Sequence, residues 1–166
     1  MELINLSNSD SILNFYIAQM RDKKIQKDSL RFRTNLQRLG QVFAYEISKT
    51  LSYKTKDVET PLGTAKVNLH DDKIVVATIL RAGLPLHEGI LSCFDNAENA
   101  FIAAYRKYDA AEKFHVNTEY CTCPNLDGKV LILADTMLAT GSSIILAYQK
   151  FLHKPTFCKC SIGCQC

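Results

Sequence analysis

The stretch Val130 to Ser143, VLILADTMLATGSS, sets one carboxylate and a run of small hydroxyl residues directly after an uncharged, branched segment. Val130 to Ala134 reads as a central strand covered on both faces. Asp135 then falls at the strand's carboxyl end, where open α/β sheets bind ligands. Met137, Leu138, Ala139, Thr140 and Gly141 form a tight loop, and Ser142 and Ser143 can open a helix that runs through Ile144, Ile145, Leu146 and Tyr148. Free backbone N–H groups at such a helix start attract an anion. Two cations stand at the ends of other apolar runs: Arg81 directly after Ile74 to Leu80, and Arg106 after Asn99 to Tyr105. A guanidinium holds phosphate through two parallel hydrogen bonds, and Ala82 and Gly83 beside Arg81 let backbone approach closely. Singly, an Arg after a strand reads as a surface charge and an Asp there as a turn or cap residue. Together they describe two anion sites with a carboxylate between them, the layout of a phosphosugar.

The loop resembles the 5-phosphoribosyl 1-diphosphate (PRPP) loop of the phosphoribosyltransferases, and most closely that of the uracil phosphoribosyltransferase family, Asp-Pro-Met-Leu-Ala-Thr-Gly-Gly-Ser. Seven of nine positions match. The departures are Thr136, where Pro is usual, and Ser142, where Gly is usual. Thr136 loses a φ restraint; Ser142 matters if that position needs a backbone conformation that only Gly reaches easily, although Ser suits a helix start. Other landmarks follow in family order: Arg21-Asp22-Lys23, Phe43-Ala44-Tyr45-Glu46, Thr60-Pro61-Leu62-Gly63, Ile79-Leu80-Arg81-Ala82-Gly83 and Tyr105-Arg106-Lys107. The resemblance runs from about Arg21 to about Lys154.

The resemblance implies an α/β fold, a parallel-sheet, Rossmann-like phosphoribosyltransferase core with an N-terminal helical arm and a small antiparallel flap. It implies transfer of a phosphoribosyl group from PRPP to uracil, giving uridine monophosphate (UMP) and pyrophosphate in pyrimidine salvage. Arg81 and Arg106 would grip the pyrophosphate. Asp135, as the catalytic residue, would accept hydrogen bonds from the ribose hydroxyls and steady the positive ring that forms as pyrophosphate leaves. Thr136 to Ser143 would hold the rest of PRPP, with Thr140, Gly141, Ser142 and Ser143 on its 5-phosphate. Mg²⁺ would arrive carried by PRPP, with no metal held by protein alone. The expected partners are PRPP, uracil and further copies of the chain. Rival readings are another nucleobase phosphoribosyltransferase, a PRPP-sensing RNA-binding regulator of pyrimidine genes, and a metal-binding fragment. Purine-type members usually carry paired acids before the loop, whereas Asp135 is followed by Thr136.

Bulk properties are ordinary. The 166 residues are 47% hydrophobic and 22% charged, with a net charge of +3, too mild to argue for nucleic acid. Met1 to Leu6 lacks a basic and apolar leader, and the apolar run Ile74 to Leu80 is too short to span a bilayer, so a cytoplasmic protein is expected. Leu36, Leu39, Phe43, Ile47 and Leu51 recur at helical spacing, which predicts a helix over Ser29 to Leu51 after an earlier one starting at Ser9 to Ser11. Arg21, Lys23, Lys24 and Lys27 between them read as a solvated face. Strands are expected at Ala65 to Leu69, Ile74 to Leu80, Asn99 to Tyr105 and around Val116 to Tyr120, the last as the flap. A helix is expected over Pro85 to Cys93. His70, His87, His115 and His153 show no metal spacing and read as surface or helix residues. Cys121 and Cys123 read as two half-buried thiols on one strand face.

The last nine residues hold four of the seven cysteines. Residues 1–157 read as one phosphoribosyltransferase domain and 158–166 as an aberrant tail. Read one base later, the codons from Cys158 onward allow Val-Asn-Val-Ala-Ser-Val-Val-Ser-Val, a credible core strand where the family has one. A frameshift near Phe157 is therefore expected, ahead of a soft-metal tail. In the family the uracil pocket follows that strand, so the sequence leads us to expect an open sheet edge, poor stability and little uracil turnover. Normal UMP formation in a steady-state assay overturns that expectation.

Overall fold

A computed structural model describes residues 3–108, 114–137, 140–152 and 160–163. Helix α1, Ile12–Arg21, is started by the Ser11 hydroxyl, which accepts from the Leu13 N–H. Helix α2, Ser29–Ser48, is capped by Asp28, whose carboxylate accepts from the N–H groups of Leu30 and Arg31. A hairpin of β1, Tyr53–Thr60, and β2, Gly63–His70, comes next, turning at Gly63 with φ of +128°. The remaining elements are β3, Lys73–Leu80; α3, Leu84–Leu91; β4, Glu98–Tyr108; β5, Phe114–Thr122; β6, Lys129–Ala134; α4, Ser142–Leu152; and β7, Cys160–Gly163. The five later strands form one sheet in the order β5-β4-β3-β6-β7, parallel except for β5.

Alternation along the central strands fills both faces of this sheet. Ile74 and Val76 of β3, with Val130, Ile132 and Ala134 of β6, join a core built with Leu13, Leu36, Leu39, Leu86 and Ile90 from the first three helices. Val75, Ala77 and Ile79, with Leu131 and Leu133, face Ile144, Ala147 and Phe151 of α4. Burial on both faces explains why these strands read as continuous apolar runs. Helices α2 and α3 cross with almost no gap: a Cβ on Gly40 would stand 2.3 Å from the Leu86 carbonyl oxygen and 2.9 Å from the Gly89 Cα.

The structure refines three sequence expectations and corrects a fourth, the open sheet edge. The N-terminal helical arm packs on the sheet as a layer, with Leu13, Met20, Leu36 and Leu39 as core residues. The strand expected over Val116 to Tyr120 is β5, antiparallel to β4; beyond Ala103, the last β4 residue paired with β3, the two run on as a two-stranded antiparallel extension, as the expected flap would, and β1–β2 is a second, separate antiparallel pair. His87, expected as a surface or helix residue, is on helix α3 and is buried there, with Nε2 2.7 Å from Asn99 Oδ1 and its ring 5.0 Å from that of Phe101. The outer side of β6 is not open, since Leu131–Ala134 pair in parallel with Cys160–Gly163. Strand pairing runs through the backbone, so a cysteine-containing segment can occupy that place without the apolar pattern the sequence reading required. Cys121 lies in β5 and is exposed, while Cys123 follows the strand and is half-buried.

Candidate active site

The register of β3 and β6 brings the two loops together. These strands are parallel neighbours with Thr78 opposite Ala134, so Arg81 and Asp135 emerge at the same sheet edge. The chain then diverges: α3 buries Leu86 and Ile90 on one face, and α4 buries Ile144, Ala147 and Phe151 on the other. Two adjacent parallel strands whose helices leave to opposite faces make a topological switch point, and the crevice beyond their carboxyl ends is where such sheets bind ligands.

One wall of the crevice is Arg81 to Gly83. The Leu80–Arg81 peptide is cis. Arg81 and Ala82 are exposed and Gly83 is buried. The Gly83 N–H donates to the Ile79 carbonyl at 3.2 Å, and its own carbonyl accepts from the His87 N–H at 2.9 Å, starting α3. A Cβ on Gly83 would lie 2.0 Å from Thr78 Oγ1 and 2.8 Å from the Ile79 carbonyl oxygen, so only a residue without a side chain folds back so closely on β3. Among the described residues Arg81 makes no ion pair, which leaves its guanidinium available to an anion.

The opposite wall begins at Asp135, half-buried, whose Oδ1 accepts from the Thr136 N–H at 2.8 Å. Burial raises the Asp135 pKa above the usual aspartate value, and hydrogen bonds from the N–H groups of Thr136 and Met137 oppose that rise. Thr136 is buried and Met137 exposed; Leu138 and Ala139 lie outside the described residues. Thr140 Oγ1 lies 2.8 Å from Ser142 Oγ and accepts from the Ser142 N–H at 3.4 Å. Gly141 has φ of +73°, and its carbonyl accepts from the Ile145 N–H at 3.0 Å as the first turn of α4. The residue that needs glycine is thus Gly141. Ser142, the family departure, is already helical and is accommodated.

Arg106 lies on β4 beyond Ala103, the partner of Leu80, where the strand runs on as a hairpin opposite Val116 of β5. Its backbone is therefore on the same edge as Arg81; its side chain lies outside the described residues. Sequence reasoning missed Thr78, fully buried, whose hydroxyl donates to the Ala134 carbonyl at 3.1 Å. The only signal was a hydroxyl inside an otherwise apolar strand. Among the described residues no three His, Cys, Asp or Glu side chains group as metal ligands. Burial also holds the His87 pKa down, against the Asn99 hydrogen bond and nearby Glu88.

The fold is of the phosphoribosyltransferase class. It matches a hypoxanthine phosphoribosyltransferase from Staphylococcus aureus with a TM-score of 0.55 at 11% identity, over 76% of this chain and 60% of that one. It matches the AQ2163 protein from Aquifex aeolicus with a TM-score of 0.76 at 30% identity, over 93% of this chain and 73% of that one. The family model for uracil phosphoribosyltransferase matches residues 7–156. A uracil phosphoribosyltransferase from Porphyromonas gingivalis is 52% identical over 154 residues, 93% of this chain and 71% of the relative. Another, from Sulfolobus acidocaldarius, is 39% identical, over 87% of this chain and 70% of the relative. The chain belongs to the uracil phosphoribosyltransferase family.

Proposed function

We propose that the chain transfers the phosphoribosyl group of PRPP to uracil. The bond from the anomeric carbon to pyrophosphate breaks, a bond from that carbon to a uracil ring nitrogen forms, and the nitrogen's proton is released, giving UMP and pyrophosphate. The observation that carries this reading is the Thr78–Ala134 register, which sets Arg81 and Asp135 across one switch-point crevice. Arg81 and Arg106 hold the pyrophosphate, and the guanidinium charge offsets the charge that builds on it as it leaves. Asp135 accepts from the ribose hydroxyls and steadies the positive ring. The start of α4, at Thr140 to Ser143, takes the 5-phosphate with its free N–H groups.

Among the described residues the donor set fits Mg²⁺ only as an ion carried by the substrate: one carboxylate, Asp135, falls far short of an oxygen cage, and Mg²⁺ keeps phosphate oxygens and waters as ligands. When bound, the ion neutralises charge on the pyrophosphate. The reading includes a cytoplasmic homo-oligomer without a nucleic-acid partner. Exposed Tyr53, Leu62, Val67 and Leu69 on the β1–β2 hairpin support association, and no described helix is long and apolar enough to cross a membrane. The test is PRPP-dependent conversion of labelled uracil to UMP with Mg²⁺, beside calorimetric titration with PRPP. Arg81→Ala should weaken PRPP binding about 10- to 100-fold, as expected for lost charge-assisted bonds. Absence of both UMP and PRPP binding in the unaltered chain overturns the reading.

A further inference from the structure

Thr78 is the one polar side chain buried within β3, whose neighbours Ile74, Val75, Val76, Ala77 and Ile79 are apolar core. Burying a hydroxyl is unfavourable unless it is bonded, and this one donates to Ala134, the residue immediately before Asp135. The same oxygen lies where a Cβ on Gly83 would stand, 2.0 Å away, so the Thr78 side chain is also the floor on which the Arg81 loop rests. One side chain therefore touches both walls of the crevice without reaching into it.

We propose that Thr78 is a positioning residue that sets the distance between the Arg81 loop and the Asp135 loop, so that both ends of one PRPP molecule are met together. The proposal rests on the phosphoribosyltransferase reading above. The hydroxyl is specifically required: a methyl group facing the Ala134 oxygen would need a contact of about 3.3–3.6 Å, longer than the 3.1 Å hydrogen bond. Thr78→Val keeps the volume and pushes the walls apart by a few tenths of an ångström. Each half of the crevice stays intact, and their spacing is lost. A ligand that spans both walls suffers, while a ligand that touches one does not.

The test is calorimetric titration of the unaltered chain, Thr78→Val and Thr78→Ser with three probes: Mg²⁺-PRPP, which spans the crevice, Mg²⁺-pyrophosphate, which meets the arginine wall, and ribose 5-phosphate, which meets the Asp135 wall. Thr78→Val is expected to bind PRPP about tenfold more weakly, as for one lost hydrogen bond, and both fragments within about twofold of the unaltered chain. Thr78→Ser, which keeps the hydroxyl, should restore PRPP affinity. A loss shared by all three probes would mark a general structural defect and overturn the proposal. So would unchanged PRPP affinity in Thr78→Val, or a Thr78→Ser as weak as Thr78→Val. Thr78→Ala takes the place of Thr78→Val if that variant does not fold. If the unaltered chain binds none of the probes, the functional reading itself fails; a failure confined to the Thr78 variants leaves that reading standing.

Discussion

The role proposed for Asp135 trades stability for chemistry. In the proposed reaction the side chain acts as a carboxylate, and burial raises its pKa, so kcat/KM for PRPP should fall on the acid side at a higher pH than for an ordinary aspartate of about 3.9. The sign for stability follows. A raised folded-state pKa contributes stability that is present below the unfolded value and lost as pH rises through the folded one. At neutral pH the buried charge is therefore a cost, and Asp135→Asn should raise Tm there while lowering turnover about 100-fold or more; a lower Tm at pH 7 contradicts this. Thr136 bears on the same group. Its N–H bonds Asp135 Oδ1, and the proline usual at this position has no N–H, so Thr136→Pro should move the acid limb to still higher pH. Asp135, Arg81 and Gly141 were legible because chemistry-bearing types stand beside apolar runs. Thr78 was not, because its role is a bond to a carbonyl 56 residues away and a threonine in a strand otherwise reads as one more β-branched residue.

Among the elements, the contact between α2 and α3 holds the arginine loop from behind. Gly83 opens α3, and α3 is pinned to α2 where Gly40 meets Leu86 and Gly89. Gly40→Ala forces a Cβ to 2.3 Å from a backbone oxygen. It should destabilise by about 1–3 kcal/mol, as overpacking does, read as a lower midpoint in urea, and unchanged stability would show that the crossing has slack. Core helices were readable from a period of 3.6, and the central strands from uninterrupted apolar runs. The hairpin was seen only in part, since β1 begins at Tyr53 and its Lys-Thr-Lys-Asp run is exposed on nearly every side. A strand that buries neither face carries no apolar alternation to read. The burial of His87 was not readable for a related reason: a single polar residue on a helix does not reveal that Asn99 lies within hydrogen-bond reach of its ring.

For the whole molecule, the sheet order decides where the candidate site lies. The crevice exists because β4 was added on one side of β3 and β6 on the other, and β7 then covers the far side of β6. Removing residues 160–166 should expose the backbone of Leu131–Ala134, lowering stability by about 2 kcal/mol for a few lost net hydrogen bonds and promoting concentration-dependent association through the open edge. Light scattering and thermal melts read both effects, and a shortened chain as stable and monodisperse as the full one would show that β7 contributes nothing.

The amino-acid sequence alone determined the chemistry on offer and the family: a carboxylate and a Thr-Gly-Ser-Ser helix start after one apolar strand, an arginine loop after another, and their order along the chain. These are local properties, set by residue type and short-range periodicity. Tertiary structure decided that the two loops face each other, that Thr78 ties them together and that Cys160–Gly163 closes the sheet. Strand order and register arise from backbone pairing between distant segments, and backbone groups are the same in every residue except proline.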